Sequence, residues 1–193
     1  MNAMTRMTAL ALASLVSLTC SGDGQSAEQK APPPKEGASA MTLQVTSTAF
    51  KNGEPIPPRY TCTDRDISPP LAWAGAPSGT KSYALIGDDP DAPIGTWVHW
   101  VIFNLPADSL GLPEAVPTTP ELPNGARQGR NSWKKIGYGG PCPPPGKPHR
   151  YFFKLYALDG TLPLDAQAGK KEVEAAMKGR VLAEGQLMGT YRR

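Results

Sequence analysis

Charge is scarce in this sequence: Asp, Glu, Lys and Arg make up 19% of its 193 residues, and the formal net charge is only +3. So mild a balance, carried by dispersed basic residues, excludes the electrostatic footprint of a nucleic-acid binder. The one local cluster, Arg127, Arg130, Lys134 and Lys135, reads as well as a solvated loop face. Sparse charge also argues against long amphipathic helices, and 22 Pro and 20 Gly predict many turns and short strands instead. There is no internal repeat. Neither an HExxH motif nor a G-x-S-x-G elbow occurs, so the local signatures of a zinc protease and of a serine hydrolase are missing. No cofactor, metal site or catalytic residue is expected.

What the N-terminus does contain is an address. Arg6 precedes an uncharged stretch, Met7 to Thr19, rich in Leu and Ala and ending at Cys20. That order is the pattern of a secretory signal, and the stretch is too short to span a membrane comfortably. Residues 1–20 are therefore set aside as a signal. Cys20 before Ser21-Gly22-Asp23-Gly24 resembles a bacterial lipoprotein signal, although Ser17-Leu18-Thr19 departs from its usual residues. Lipidation of Cys20 is the leading expectation, with a cleaved soluble form and an unmodified Cys as alternatives. Residues 21–41, with Pro32-Pro33-Pro34 and no large apolar side chain before Met41, read as a disordered linker. The predicted location is the periplasm or the cell envelope.

Residues 42–193 form the folding unit. Leu43, Val45 and Phe50 begin a strand-like stretch, followed by Pro-rich turns. Tyr83 to Gly87 reads as a buried strand feeding an acidic turn, Asp88 to Pro93. From Val98 to Leu105 both faces are largely apolar, which predicts a central strand with His99, Val101, Phe103 and Leu105 on one side. Residues 106–133 read as a long loop. Gly137 to Gly146, dense in Gly and Pro, cannot be regular structure, and it leads into a strand from Arg150 to Leu158. Lys170 to Lys178 carries helical spacing at Val173, Ala176 and Met177 with Gly179 as its stop. Val181 to Tyr191 reads as a final strand.

The chain has two histidines, and each lies beside one of the unusual loops. A lone His is most often structural; two in matching contexts weaken that reading. The ordered set Asp89-Pro90-Asp91-Ala92-Pro93, His99-Trp100, Gly140-Pro141-Cys142-Pro143-Pro144 and His149-Arg150-Tyr151 resembles the two signature segments of the phosphatidylethanolamine-binding-protein family, also called Raf-kinase-inhibitor-like. Ile67-Ser68-Pro69-Pro70-Leu71 and Leu187-Met188-Gly189-Thr190-Tyr191 resemble its bacterial branch.

That resemblance implies a mainly β fold: a large antiparallel sheet packed on a smaller one, with one or two peripheral helices and a shallow pocket at one end. It further implies a pocket for a phosphate, phosphoryl-ethanolamine or small carboxylate group, walled by Asp89, His99, Gly140, Pro144, His149 and Tyr151, with Trp97 as an aromatic neighbour. The residue chemistry suits an anion, since imidazole N–H groups, a phenol and loop amides are donors. Asp89 would orient one imidazole rather than touch the ligand, and the prolines would preorganise the loop. Asp91 and Arg150 are expected to pair structurally and hold the two loops together.

With Cys20 assigned to processing, Cys62 and Cys142 remain, and in an exported chain an even remainder suggests a disulfide. The chain runs only two residues past Tyr191, where eukaryotic relatives continue into a helix beside the pocket, so a more open pocket is expected. The leading functional expectation is non-enzymatic binding of a small phosphorylated or anionic group, with a membrane met only through the lipid anchor. A protein partner, as in kinase or protease inhibition, and a homodimer are open. The alternative is a metal-dependent enzyme using His99, His149 and Asp89, and a Ser- or Cys-nucleophile hydrolase ranks below it.

Overall fold

The computed structural model describes residues 43–193; the signal, Cys20 and the linker to residue 41 lie outside them. Eight strands form two antiparallel sheets. The larger has the order β6-β4-β3-β7-β8 and the smaller β1-β2-β5. In chain order these are β1 Gln44–Thr46, β2 Leu71–Ala74, β3 Ser82–Asp89, β4 Trp97–Pro106, β5 Gly111–Leu112, β6 Arg127–Gln128, β7 His149–Leu158 and β8 Val181–Tyr191, with a helix α1 at Lys170–Met177 between the last two. The mainly β architecture and the two-sheet arrangement are those the family resemblance implies.

The long strands are long because their side chains can be buried on both faces. All eight residues of β3 are buried: the apolar run Tyr83 to Ile86 is what a strand covered on both faces needs, and the polar Ser82, Asp88 and Asp89 are buried beside it. On one face Tyr83 and Leu85 join Trp100, Ile102, Phe153 and Leu155, packed with Val45, Leu71 and Trp73 of the smaller sheet. On the other, Ala84 and Ile86 join Val101 and Phe103 beneath Val173 and Met177 of α1. Burying each such large side chain contributes roughly 1.5–3 kcal/mol. The helix is also tied down by charge. The buried Asp88 carboxylate of β3 lies 2.9 Å from Lys154 Nζ and meets Lys170 Nζ of α1 as well. Gly179 ends the helical segment at φ +77°, a backbone conformation that costs glycine little.

Two irregularities in β4 matter for function. The pairs Gly87–Trp100 and Asp88–Val98 leave His99 as an extra residue on β4. A second shift separates the pairs Tyr83–Leu105 and Leu85–Ile102, next to Asn104 at φ +60°. Strict alternation would put His99, Val101, Phe103 and Leu105 on one face. Instead Leu105 packs with Trp100 and Ile102, while Val101 and Phe103 lie on the opposite face. Bulges re-aim side chains in this way.

The segment 106–133 is mostly irregular, as expected, yet it is firmly anchored. Trp100 Nε1 donates to Gln128 Oε1 at 2.8 Å, and Gln128 Nε2 donates to the carbonyls of Pro117 and Thr119. Buried Gln128 thus satisfies an indole and two loop carbonyls that would otherwise be costly to desolvate. Among the described residues no helix is long and apolar enough to cross a membrane.

Candidate functional site

Three adjacent strands of the large sheet deliver the site from one end. Asp89 is the last residue of β3, Trp97 and His99 open β4, and His149 and Tyr151 open β7. In β7, Tyr151, Phe153, Leu155 and Ala157 face the small sheet, so by the period of two His149 shares their side. Without its bulge His99 would face α1 with Val101. With it, the imidazole stacks edge-on against Tyr151, ring centroids 5.2 Å apart.

The side chains surround a cavity of about 310 Å3, whose walls include Asp89, Trp97, His99, Pro144, His149 and Tyr151. Asp89 is 3% exposed, and both its oxygens are engaged. Oδ2 accepts from His149 Nδ1 at 2.8 Å, and Oδ1 accepts from the Asp91 N–H at 2.8 Å. The carboxylate therefore fixes the ring orientation of His149 and leaves Nε2 as its free polar atom.

His99 is held differently. Its Nδ1 lies 2.7 Å from the Gly139 carbonyl; since a carbonyl only accepts, Nδ1 carries the hydrogen. Burial pushes the imidazole below its ordinary pKa, opposed by the Gly139 carbonyl, the Asp89 carboxylate, the Gly140 backbone and the Asp66 carboxylate. The Tyr151 hydroxyl is buried and, among the described residues, makes no hydrogen bond of normal geometry. Burial, reinforced by the charge and the close approach of the Asp89 carboxylate, pushes its pKa far above that of an ordinary phenol, so it remains a donor able to serve a ligand.

Around this centre the loops are braced. Asp91 accepts from Arg150 Nε at 2.9 Å, from its terminal nitrogen at 2.7 Å and from its backbone N–H at 2.9 Å. Cys62 and Cys142 are joined as a disulfide with Cα atoms 5.4 Å apart, and Cys142 forms part of the cavity wall. The bond ties the Pro-rich loop to the segment after the 3-10 turn Pro58–Tyr60.

One expected wall residue stands behind the cavity rather than in its lining. Gly140 is not among the cavity-lining residues, because its N–H donates to Asp66 Oδ1 at 2.6 Å. A Cβ added there would meet the Tyr60 carbonyl oxygen at 2.4 Å. The glycine permits close packing of two backbones behind the pocket, and its amide is already spent.

The sequence reading also missed Trp133, which lines the cavity and packs edge-on to both Trp97 and His99, at 5.3 and 5.1 Å between centroids. Buried Asn131 places it: its Oδ1 accepts from the N–H of Trp133 and Lys135, and its Nδ2 donates to the Gly137 carbonyl. Ser132 hooks the same turn onto β4 through Val98. An Asn two residues before a Trp in a turn-rich stretch was the available signal. Ile94, 80% exposed, stands at the cavity rim.

Among the described residues no three of His, Cys, Asp and Glu are placed to share a metal ion. Nothing in the donor geometry favours the metal-enzyme alternative. Nδ1 of each histidine and both Asp89 oxygens already have protein partners.

The family model described as phosphatidylethanolamine-binding protein matches residues 46–192. The chain belongs to the phosphatidylethanolamine-binding protein family. A UPF0098 protein of Methanothermobacter thermautotrophicus is 54% identical over 151 residues, covering 78% of this chain and 99% of the relative. One of Aquifex aeolicus is 49% identical, covering 81% and 92%. Among solved structures, the Escherichia coli family member YbcL superposes with a TM-score of 0.74 at 37% identity, covering 78% of this chain and 98% of that one. The family homologue CT736 of Chlamydia trachomatis gives 0.72 at 40% identity, covering 79% and 98%. Membership thus rests on sequence and on fold, and the cavity lies between the segments that carry the family resemblance.

Proposed function

We propose that this family member binds a small phosphorylated or anionic group in the pocket at the end of β3, β4 and β7, without chemical turnover. The observation that carries the reading is a buried hydroxyl, on Tyr151, that makes no hydrogen bond among the described residues, near an imidazole clamped by Asp89 through Nδ1. An anion supplies the missing acceptor, and a buried polar group left unpaired is costly enough for that to matter. Pro143 and Pro144 stiffen one wall, so little ordering entropy is lost on binding.

Binding without catalysis is supported by what lines the cavity. None of its lining residues is Ser, Thr or Lys, and Cys142 is held in a disulfide, so these walls offer no Ser, Thr, Lys or free Cys nucleophile to a bound ligand. We further propose that the domain works outside the cytoplasm, held by a lipid on Cys20 and a linker through residue 41. There, an anionic group on another protein, such as a kinase or protease, would make the same pocket a point of modulation.

Calorimetric titration with inorganic phosphate tests the reading. Saturable binding by the wild type, weakened at least about tenfold in His149→Ala, is the expected result. No heat or spectral change at millimolar phosphate overturns it.

A further inference from the structure

We propose that a second cleft, on the α1 side of the large sheet, receives an acidic peptide segment of a partner protein, held by Arg130, Lys134, Lys170 and Lys171. The inference does not depend on what the anion pocket binds.

The four basic residues come from separate parts of the chain. Arg130 and Lys134 belong to the sequence cluster that also holds Arg127 and Lys135, whereas Lys170 and Lys171 open α1. The fold sorts that cluster. Arg127 is spent on the Leu164 carbonyl, while backbone pairing of Arg130 with Ala168 and Gly169 brings the turn after it against the start of the helix. Between them lies a cleft of about 540 Å3.

One turn separates the two cavities. Trp133 faces the anion pocket, and Ser132 and Lys134 on either side of it face the cleft. Val98 and His99 divide in the same way at the β4 bulge. The cleft is therefore a surface of its own and not an extension of the pocket.

Its charge is unbalanced. The walls carry four cations against two carboxylates, Glu172 and Glu174. Arg130, Lys134 and Lys171 enter no ion pair among the described residues, and the buried Asp88 that meets Lys170 is already balanced by Lys154. The helix end is not itself the site, because Glu172 takes the Gly169 N–H at 2.9 Å.

Shape and sign together choose the occupant. Lys170 is only 21% exposed, set back in a concavity that a flat lipid surface would bridge. An extended acidic peptide enters it: carboxylates on alternate residues stand about 7 Å apart and meet cations from both walls. Its backbone N–H groups serve Glu174, whose side chain is 47% exposed and lies 3.7 Å from Lys170. A phosphate-rich polymer offers acceptors alone and is repelled by that carboxylate. Clustered cations recognise acidic segments through charge-assisted hydrogen bonds.

Fluorescence anisotropy of a labelled hexaglutamate peptide with the full-length protein tests this. Saturable binding is expected, weakening at least about tenfold between about 50 and 500 mM salt. The double change Lys134→Glu and Lys171→Glu is expected to weaken it at least about tenfold as well. Both side chains are exposed and outside every ion pair among the described residues, so the wild-type melting temperature should be kept. Lys171→Gln alone, expected to weaken binding about threefold, decides the matter if the double variant does not fold. Phosphate binding to the anion pocket should survive both changes, which separates failure of this cleft from failure of that pocket. No saturation at about 1 mM peptide, equal binding of hexaglutamine, or unchanged affinity in the folded variants overturns the proposal. Capture of phosphatidylglycerol vesicles without peptide binding overturns it too, by assigning the cleft to a membrane.

Discussion

Asp89 Oδ2 and His149 Nδ1 meet at 2.8 Å between two neighbouring strands of the large sheet, the carboxylate side chain 4% and the imidazole side chain 13% exposed. The pair joins the two loops that meet at the pocket, and it determines which nitrogen of His149 a ligand can reach. Burial makes the contact consequential: an exposed ion pair is worth about 0–1 kcal/mol, whereas removing one partner of a buried pair leaves a charge uncompensated.

The Tyr151 hydroxyl separates stability from binding. With no hydrogen bond of normal geometry to lose among the described residues, Tyr151→Phe is expected to leave the melting temperature unchanged or slightly raised. Phosphate affinity is expected to fall about tenfold. Thermal melts and calorimetry on the same sample check both halves, and a clear loss of stability would show that the hydroxyl has a structural partner.

Asp91 gives a pH signature. Its carboxyl is lowered from 3.8 to about 2, chiefly by its hydrogen bonds to the Arg150 side chain. A depressed carboxyl contributes stability above its unfolded value and loses it as pH falls through the folded one. Stability of the wild type relative to Asp91→Asn is therefore expected to be constant above about pH 4 and to shrink toward pH 2. Denaturant unfolding across that range measures it, and a difference that does not change contradicts the assignment.

The Cys62–Cys142 bond closes a long loop, with a sequence separation of 80. Reduction, or the double change Cys62→Ser and Cys142→Ser, is expected to cost about 2–4 kcal/mol of unfolding free energy. Because Cys142 is part of the cavity wall, phosphate affinity should drop at temperatures where the domain stays folded. Melting curves with and without reductant, followed by titration of the reduced protein, test this.

Gly140→Ala addresses a residue whose role differs from the expected one. A Cβ would sit 2.4 Å from the Tyr60 carbonyl oxygen and 2.6 Å from Asp66 Oδ1, distances that force backbone to move. Destabilisation of about 1–3 kcal/mol is expected. Affinity measured on the folded fraction should change little, since the Gly140 amide already serves Asp66.

Much of this fold was written in local pattern. The helix at Lys170–Met177 and the strand Val181–Tyr191 follow from spacing and stop signals, and β7 from its run of aromatic and aliphatic residues. Of the small sheet only β1 was signalled, by Leu43 and Val45; β2 and β5 have four and two residues, too short for periodicity, and they exist through pairing between distant segments. The site divides similarly. Asp89, His99 and His149 stand out by type and by their loops. That His99 faces Tyr151 depends on a bulge that appears only when β3 and β4 pair, and alternation along β4 points it the wrong way. Trp133 reaches the cavity because buried Asn131 turns a loop back onto β4, and Gly140 lies behind the pocket because of its neighbours at Tyr60 and Asp66. These are long-range facts that no local pattern records.

The central claim is that two differently held imidazoles and a waiting hydroxyl form an anion pocket. Titration of nitrogen-15-labelled protein with inorganic phosphate tests it most directly. The account predicts saturable shifts of both His99 and His149 ring nitrogens with a common dissociation constant, lost for the His99 ring in His149→Ala. Ring resonances that stay fixed at millimolar phosphate, or that move only in proportion to ionic strength, would contradict it.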